Sequence, residues 1–268
     1  MFLQQLVTGI SVGGIYALLA TGYSLIYSLL DFSNWAHGEF AMVSAYIAIV
    51  LSSFMGMPFV LAAVGGMAGG ALVSFLCERF AYRRIRRNGA PNMFLMIAAM
   101  GLSNVFQQAA NLIFSGQYRS YPFKLPVSTI KVASAYIGVL DLVSLAITAV
   151  IITILVYLIN KTQFGLNVRA IACNAHAAKV LGVKVDRCIA TVFVLAGALA
   201  GVAGVLYGMK YNVFPTMGNV GLKAFIASVI GGLGSVPGAI VGAIILGVIE
   251  TFVSAFISSS LRDFFSFA

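Results

Sequence analysis

The feature that most constrains this chain is a succession of apolar runs, each near twenty residues, separated by short polar breaks. The runs fall at about 6–30, 36–56, 58–82, 92–114, 136–159, 189–210 and 236–260, with a shorter glycine-bounded run at 219–234. A helix crossing the hydrocarbon of a bilayer needs about 20 mainly apolar residues. With 61% of residues hydrophobic and 9% charged, against roughly 25% charged in a globular chain, no soluble fold could hide this much apolar surface. The expected fold is all-α: a polytopic transmembrane helical bundle of about seven or eight membrane segments, one of them broken or re-entrant, forming a single domain over 1–268.

The net charge of +9 raises the question of nucleic acid, but ten of the sixteen Lys and Arg residues lie in two short segments, 79–87 and 161–187. Basic loops beside apolar spans mark the cytoplasmic side, whereas phosphate binding needs an extended basic face. Arg79, Arg83, Arg84, Arg86 and Arg87 close the third run, and Lys161, Arg169, Lys179, Lys184 and Arg187 follow the fifth. Both loops are therefore expected in the cytoplasm, which puts the N-terminus and the 115–135 connection, with Arg119, Pro122, Lys124 and Pro126, outside. Cys77, Cys173 and Cys188 lie in or beside the basic segments, on the reducing side, so no disulfide is expected. Met1 to Gln5 has no basic n-region and the run after it is longer than a signal-peptide core, so the first helix is expected to be retained.

Glycines concentrate inside the runs. Gly65-x-x-x-Gly69, Gly66-x-x-x-Gly70, Gly197-x-x-x-Gly201 and Gly238-x-x-x-Gly242 let helix backbones approach where lipid provides no hydrophobic reason to associate. Internal packing is the plain reading; contact with a second subunit is the other. Gly56-Met57-Pro58 alone separates the second and third runs and predicts a tight hairpin.

Two stretches could carry function. Asp31-Phe32-Ser33-Asn34-Trp35-Ala36-His37-Gly38-Glu39-Phe40 is a polar knot between apolar runs with no Lys or Arg. Charges at membrane depth cost roughly 2.5–3.5 kcal/mol on insertion scales and usually face protein or a water-filled path. A solvated turn with Asp31 or Ser33 as N-cap is the plain alternative. His37 and Glu39, at i and i+2, share no helix face, and His176 is the only other histidine, so neither a metal site nor acid–base catalysis is assembled. No metal, cofactor or catalytic residue is assigned. Isolated carboxylates Glu78, Asp141 and Glu250 lie near run ends, where the headgroup region would take them; Glu250, fourteen residues into its run, is the candidate for a pathway or a subunit contact.

The second stretch is the long basic connection 160–188. Its Ala-rich portion up to Gly182 reads as a short helix closed by a C-terminal glycine. With Ala172, Ala175, Val180 and Leu181 on it, that helix could dock into a groove on a cytoplasmic partner, or lie on anionic lipid.

At these stretches the chain resembles the permease subunits of bacterial ABC importers for branched-chain amino acids, of the H type. The resemblance is carried by Gly13-Gly14-Ile15-Tyr16-Ala17-Leu18, by Ser33-Asn34-Trp35-Ala36-His37-Gly38-Glu39-Phe40 and by Gly231-Gly232-Leu233-Gly234-Ser235-Val236-Pro237-Gly238-Ala239, and it runs over the whole chain. It implies that Arg169, His176, Ala177, Ala178 and Gly182 belong to a coupling segment that fits an ATP-binding subunit. His176 stands where related loops carry an acid, so an ion pair from that position is not implied. Family members usually continue through another apolar helix after the equivalent of Arg262-Asp263, while this sequence stops at Ala268.

The resemblance implies a multi-pass protein of the bacterial inner membrane that transports leucine, isoleucine and valine. Its implied partners are a second permease subunit, two cytoplasmic ATP-binding subunits and a periplasmic solute-binding protein; the chain itself has no Gly-x-x-x-x-Gly-Lys-[Ser/Thr] loop. Asn34, His37, Gly38, Glu39, Gly231, Gly232 and Gly234 are the candidate pathway residues. A permease for urea or short amides is the near alternative. An ion-coupled secondary transporter using Asp31, Glu39 and Glu250 is the distant one, and no internal repeat supports it.

Overall fold

A computed structural model of the chain describes residues 2–123, 129–132 and 135–267. Lys124 and Pro126 of the expected outer connection lie outside the described residues. Seven described helices are long and apolar enough to cross a membrane. They are built on α1 (Phe2–Leu30), α2 (His37–Ile49, in a span reaching Phe54), α3 (Phe59–Cys77, in a span reaching Arg87), α5 (Asn92–Phe114), α6 (Val139–Lys161), α9 (Val185–Tyr211) and α11 (Val236–Phe256). The shorter helices are α4 (Arg83–Arg87), α7 (Gln163–Cys173), α8 (Ala175–Val180), α10 (Val220–Ile230) and α12 (Arg262–Phe267). Helix α10, eleven residues long, occupies the short run that was too brief for a span.

Two helices pass through π-helical turns. Helix α2 continues through Val50–Phe54, and α3 continues through Glu78–Tyr82 into α4, so the third span reaches Arg87 rather than ending near 82. The fifth run starts later than hydropathy suggests. Ala135–Gly138 is strand β2, paired antiparallel with β1 (Thr129–Val132), and α6 begins only at Val139. A short apolar stretch reads alike as strand or as helical turn by hydropathy, and Tyr136 and Ile137 favour the pleated form.

Helix α1 is the core. It is buried almost continuously from Ser11 to Ile26 and is apolar around its circumference, as a helix enclosed by others must be. It packs on α6, α9, α10 and α11. Its closest approach is to α11, where a methyl group on Gly13 would lie 2.7 Å from the Ile244 Cα. The paired glycines of α3 and α9 act similarly: a Cβ on Gly197 would meet the Ala71 Cα at 3.0 Å, and one on Gly70 the Gly197 carbonyl oxygen at 2.8 Å. The Gly66-x-x-x-Gly70 face also takes Ser44 and Ala48 of α2, which forms the expected hairpin with α3 across Gly56. Gly238 and Gly242 meet Gly231 and Ala227 of α10 and its turn. These motifs pack the inside of the chain.

Candidate transport pathway and coupling surface

The polar knot interrupts the helix between α1 and α2 without being a solvated turn. Asp31 is exposed and adopts φ 50 as α1 ends, a left-handed conformation Asp tolerates. Asn34, His37 and Glu39 are buried. The N-cap of α2 is Ala36, not Asp31 or Ser33. Asn34 closes the turn instead: its Oδ1 accepts from the Ala36 N–H at 3.3 Å and from the Tyr82 hydroxyl at 2.8 Å. The amide Oδ1 thereby ties the break to the third span, while Nδ2 has no partner among the described residues.

His37 and Glu39 diverge, as the i, i+2 spacing required. The imidazole lies edge-on to Tyr23 with ring centres 4.7 Å apart, and a Cβ on Gly22 would come within 2.7 Å of its Cε1. Glu39 faces Gly218 and α5, where the Ser103 hydroxyl donates to Oε1 at 3.1 Å while Oε2 has no partner among the described residues. Gly38 lies between them against the Gly218 carbonyl oxygen, with the Gly221 Cα 2.9 Å from where its Cβ would be. The chain between α9 and α10 thus runs back against the knot, through a 3-10 turn at Pro215–Asn219. Sequence reasoning did not single out Gly218 or Gly221; the only signal was the lack of a side chain at both. Gly231, Gly232 and Gly234 occupy a different place, the α10–α11 turn. Gly232 and Gly234 have φ +92 and +85 there, and Gly234 sits beside Ser28 and Tyr27 near the end of α1. Only glycine adopts two such angles so cheaply.

Each of the isolated carboxylates has a basic partner within the chain. Glu250 accepts from the Tyr16 hydroxyl at 2.7 Å, pairs with Arg262 at 2.6 Å and forms an ion pair with Lys223. Lys223 also donates to Asp263 at 2.7 Å, and that hydrogen bond holds the Asp263 carboxyl below its ordinary range. Asp141 pairs with Lys210 and accepts from Thr8 at 3.1 Å. Glu78 pairs with Arg86, about two turns further along the same continuous helix, rather than with adjacent Arg79.

The basic connection departs from expectation in one respect. The Ala-rich stretch is two helices, α7 and α8, broken at Asn174, which adopts φ −162 and accepts the Ala177 N–H at 3.0 Å as N-cap of α8. Asparagine favours such a cap over a helix interior. Arg169 lies on α7 and bonds the Ile159 carbonyl; His176, Ala177 and Ala178 lie on α8; Gly182 follows with φ +87. Val180 and Leu181 are 76% and 83% exposed, and His176 and Lys179 flank them on an open surface. The return to the bundle is fixed where Asp186 accepts from Arg83 (2.8 Å), Arg86 (3.0 Å) and Arg87 (3.0 Å).

Seven spans, the first of them buried among its neighbours, a buried polar break between the first two and an apolar tip on a basic protrusion define the class: a multi-pass membrane transport subunit. The particular family follows from comparison with known proteins: the chain belongs to the branched-chain amino acid transport system permease component family, whose model matches residues 5–268. It is 36% identical over 252 residues to the high-affinity branched-chain amino acid transport system permease protein BraD of Pseudomonas aeruginosa, covering 89% of this chain and 81% of that protein. It is 34% identical over 291 residues to the high-affinity permease protein LivH of Escherichia coli strain K12, covering 100% and 91% respectively. A probable branched-chain amino acid transport permease protein LivH of Methanocaldococcus jannaschii is 30% identical over 236 residues, covering 83% of this chain and 71% of its own.

Proposed function

We propose that this chain is one of two permease subunits of an ATP-driven importer that carries leucine, isoleucine and valine across the bacterial inner membrane. Two cytoplasmic ATP-binding subunits drive it, and a periplasmic solute-binding protein delivers the cargo. The observation that carries the reading is the family match over residues 5–268, together with relatives named for this cargo along most of their length. The single domain 1–268 forms half of the pathway, with Asn34, His37, Gly38 and Glu39 at the break and Gly231, Gly232 and Gly234 at the second turn. The coupling residues are Arg169, His176, Ala177, Ala178 and Gly182, and the exposed Val180 and Leu181 supply the apolar contact with an ATP-binding subunit.

Closure of the ATP-binding pair moves α7 and α8, and the attached spans rock as rigid bodies between outward and inward openings. Leu181→Asp tests this directly, because a side chain 83% exposed contributes little to the fold of the isolated chain. The variant is expected to reach the membrane at the normal level and to lose leucine uptake; Gly182→Trp is expected to do the same. Normal uptake by both would remove the coupling role. Uptake by the unaltered protein that survives ATP depletion but collapses with the proton gradient would replace the importer with an ion-coupled transporter.

A further inference from the structure

Every buried carboxylate but one in the described residues has a basic partner. Glu78 has Arg86, Asp141 has Lys210 and Glu250 has Lys223 and Arg262. Glu39 is 3% exposed, forms no ion pair among the described residues, and keeps one oxygen without a hydrogen bond. A carboxylate in this setting is costly unless a cation meets it.

An apolar cleft lies one helical turn from Glu39, which does not itself line it. The cleft, of about 340 Å³ between the two helices, begins one turn beyond Glu39 on α2, at Met42, and one turn beyond Ser103 on α5, at Phe106. Its walls are apolar: Met42, Tyr46, Phe106, Ala110, Ile113 and Phe114. On α5 the row Phe106, Ala110, Phe114 runs beside the row Ser103, Gln107, Asn111, since positions four apart share a helix face. Gln107 and Asn111 are half-buried. Spans seldom carry such a row toward lipid, because amides there need partners.

We infer that Glu39, the Ser103–Gln107–Asn111 row and the α2–α5 cleft form this chain's share of the solute site in the pathway. The α-ammonium of an amino acid sits on Glu39, its aliphatic side chain lies in the cleft, and its carboxylate takes N–H donors from the amides. This rests on the import function proposed above and adds to it the residues that meet each part of the cargo. Within the knot it assigns the ammonium contact to Glu39, the one buried carboxylate there; Asn34 Nδ2 and both ring nitrogens of His37 are likewise without hydrogen-bond partners among the described residues.

The test uses cells in which the chain is replaced by its variants alongside its natural partners, with radiolabelled leucine as the probe. Glu39→Gln keeps the shape and the Ser103 contact but removes the charge. It is expected to cut leucine uptake about tenfold or more at an unchanged membrane level, the loss typical of a charge-assisted hydrogen bond, with Glu39→Asp intermediate. Uptake by Glu39→Gln within twofold of the parent would overturn the ammonium role. A second arm reads the path without cargo. Gln107→Cys is expected to react with a small membrane-impermeant cationic thiol reagent added outside, while Leu112→Cys, 84% exposed on another side of α5, reacts only with a lipid-soluble maleimide. A Gln107→Cys protein closed to the impermeant reagent would show that lipid or a neighbouring helix covers the row and would overturn its place in the pathway. If the unaltered protein fails to import leucine, the cargo proposed above falls, while water access at Gln107 still decides the lining.

Discussion

Gly38→Ala puts a methyl group on the seam where α2 meets the chain returning from α9. The added carbon would overlap the Gly218 carbonyl oxygen and approach the Gly221 Cα to 2.9 Å. Both obstacles are backbone, so no rotamer change relieves them, and α2 or the Pro215–Asn219 turn must shift. Overpacking of a tight core costs about 1–3 kcal/mol, and a clash with backbone on two sides places this one near 2–3 kcal/mol. At roughly 2–4 °C per kcal/mol for a chain near this length, melting should fall by about 4–12 °C. Gly101→Ala is the internal control. It lies within α5 with nothing within 4 Å of its Cβ position, so the change should be neutral or gain about 0.5–1 kcal/mol from helix propensity. Detergent-solubilised variants fused to a fluorescent reporter, heated and scored by gel filtration, give the comparison. Gly38→Ala melting within about 2 °C of the parent, or Gly101→Ala falling as far, would refute the claim that this seam is closed by the missing side chains.

Two other substitutions probe the polar interior. Glu250→Ala leaves Lys223 and Arg262 facing each other without their shared carboxylate, and a broken buried pair costs about 3–5 kcal/mol; the variant should be recovered poorly from membranes, and adding Lys223→Met should restore part of the yield. Asn174→Ala removes the cap of α8, a loss of about 0.5–2 kcal/mol, and should speed amide exchange over 175–180 while leaving α9 unchanged; equal exchange in both proteins would show that the cap is not what holds the short helix.

The spans were legible because lipid demands length and apolarity together, and Pro58, Pro91 and Pro237 stand at or next to the starts of three of them. The knot at 31–40 was legible as an interruption, since it sets two carboxylates, an imidazole and an amide between apolar runs with no Lys or Arg. Its internal assignments were not. That Asn34 serves Tyr82, and that Glu39 rests on Gly218, depend on residues 48 and 179 positions away, which no local pattern encodes. The pairing of Glu250 was hidden similarly, because Lys223 and Arg262 belong to separate helices. In the basic connection, alanine content signalled helix correctly, and the break at Asn174 was missed because composition outweighed a single capping side chain.

The protrusion formed by α7 and α8 is held at both of its roots. On the entering side, Gly165 lets the first turn of α7 lie on the backbone of Ile159, with a Cβ there only 2.6 Å from the Ile159 Cα, and Arg169 bonds the same residue's carbonyl. On the leaving side, three arginines from the far end of the third span grip Asp186 at the first turn of α9. Under the coupling role proposed above, a load on the protrusion is delivered to α6, to α9 and, through the arginines, to the long helix ending at Arg87, so one lever arm turns three beams.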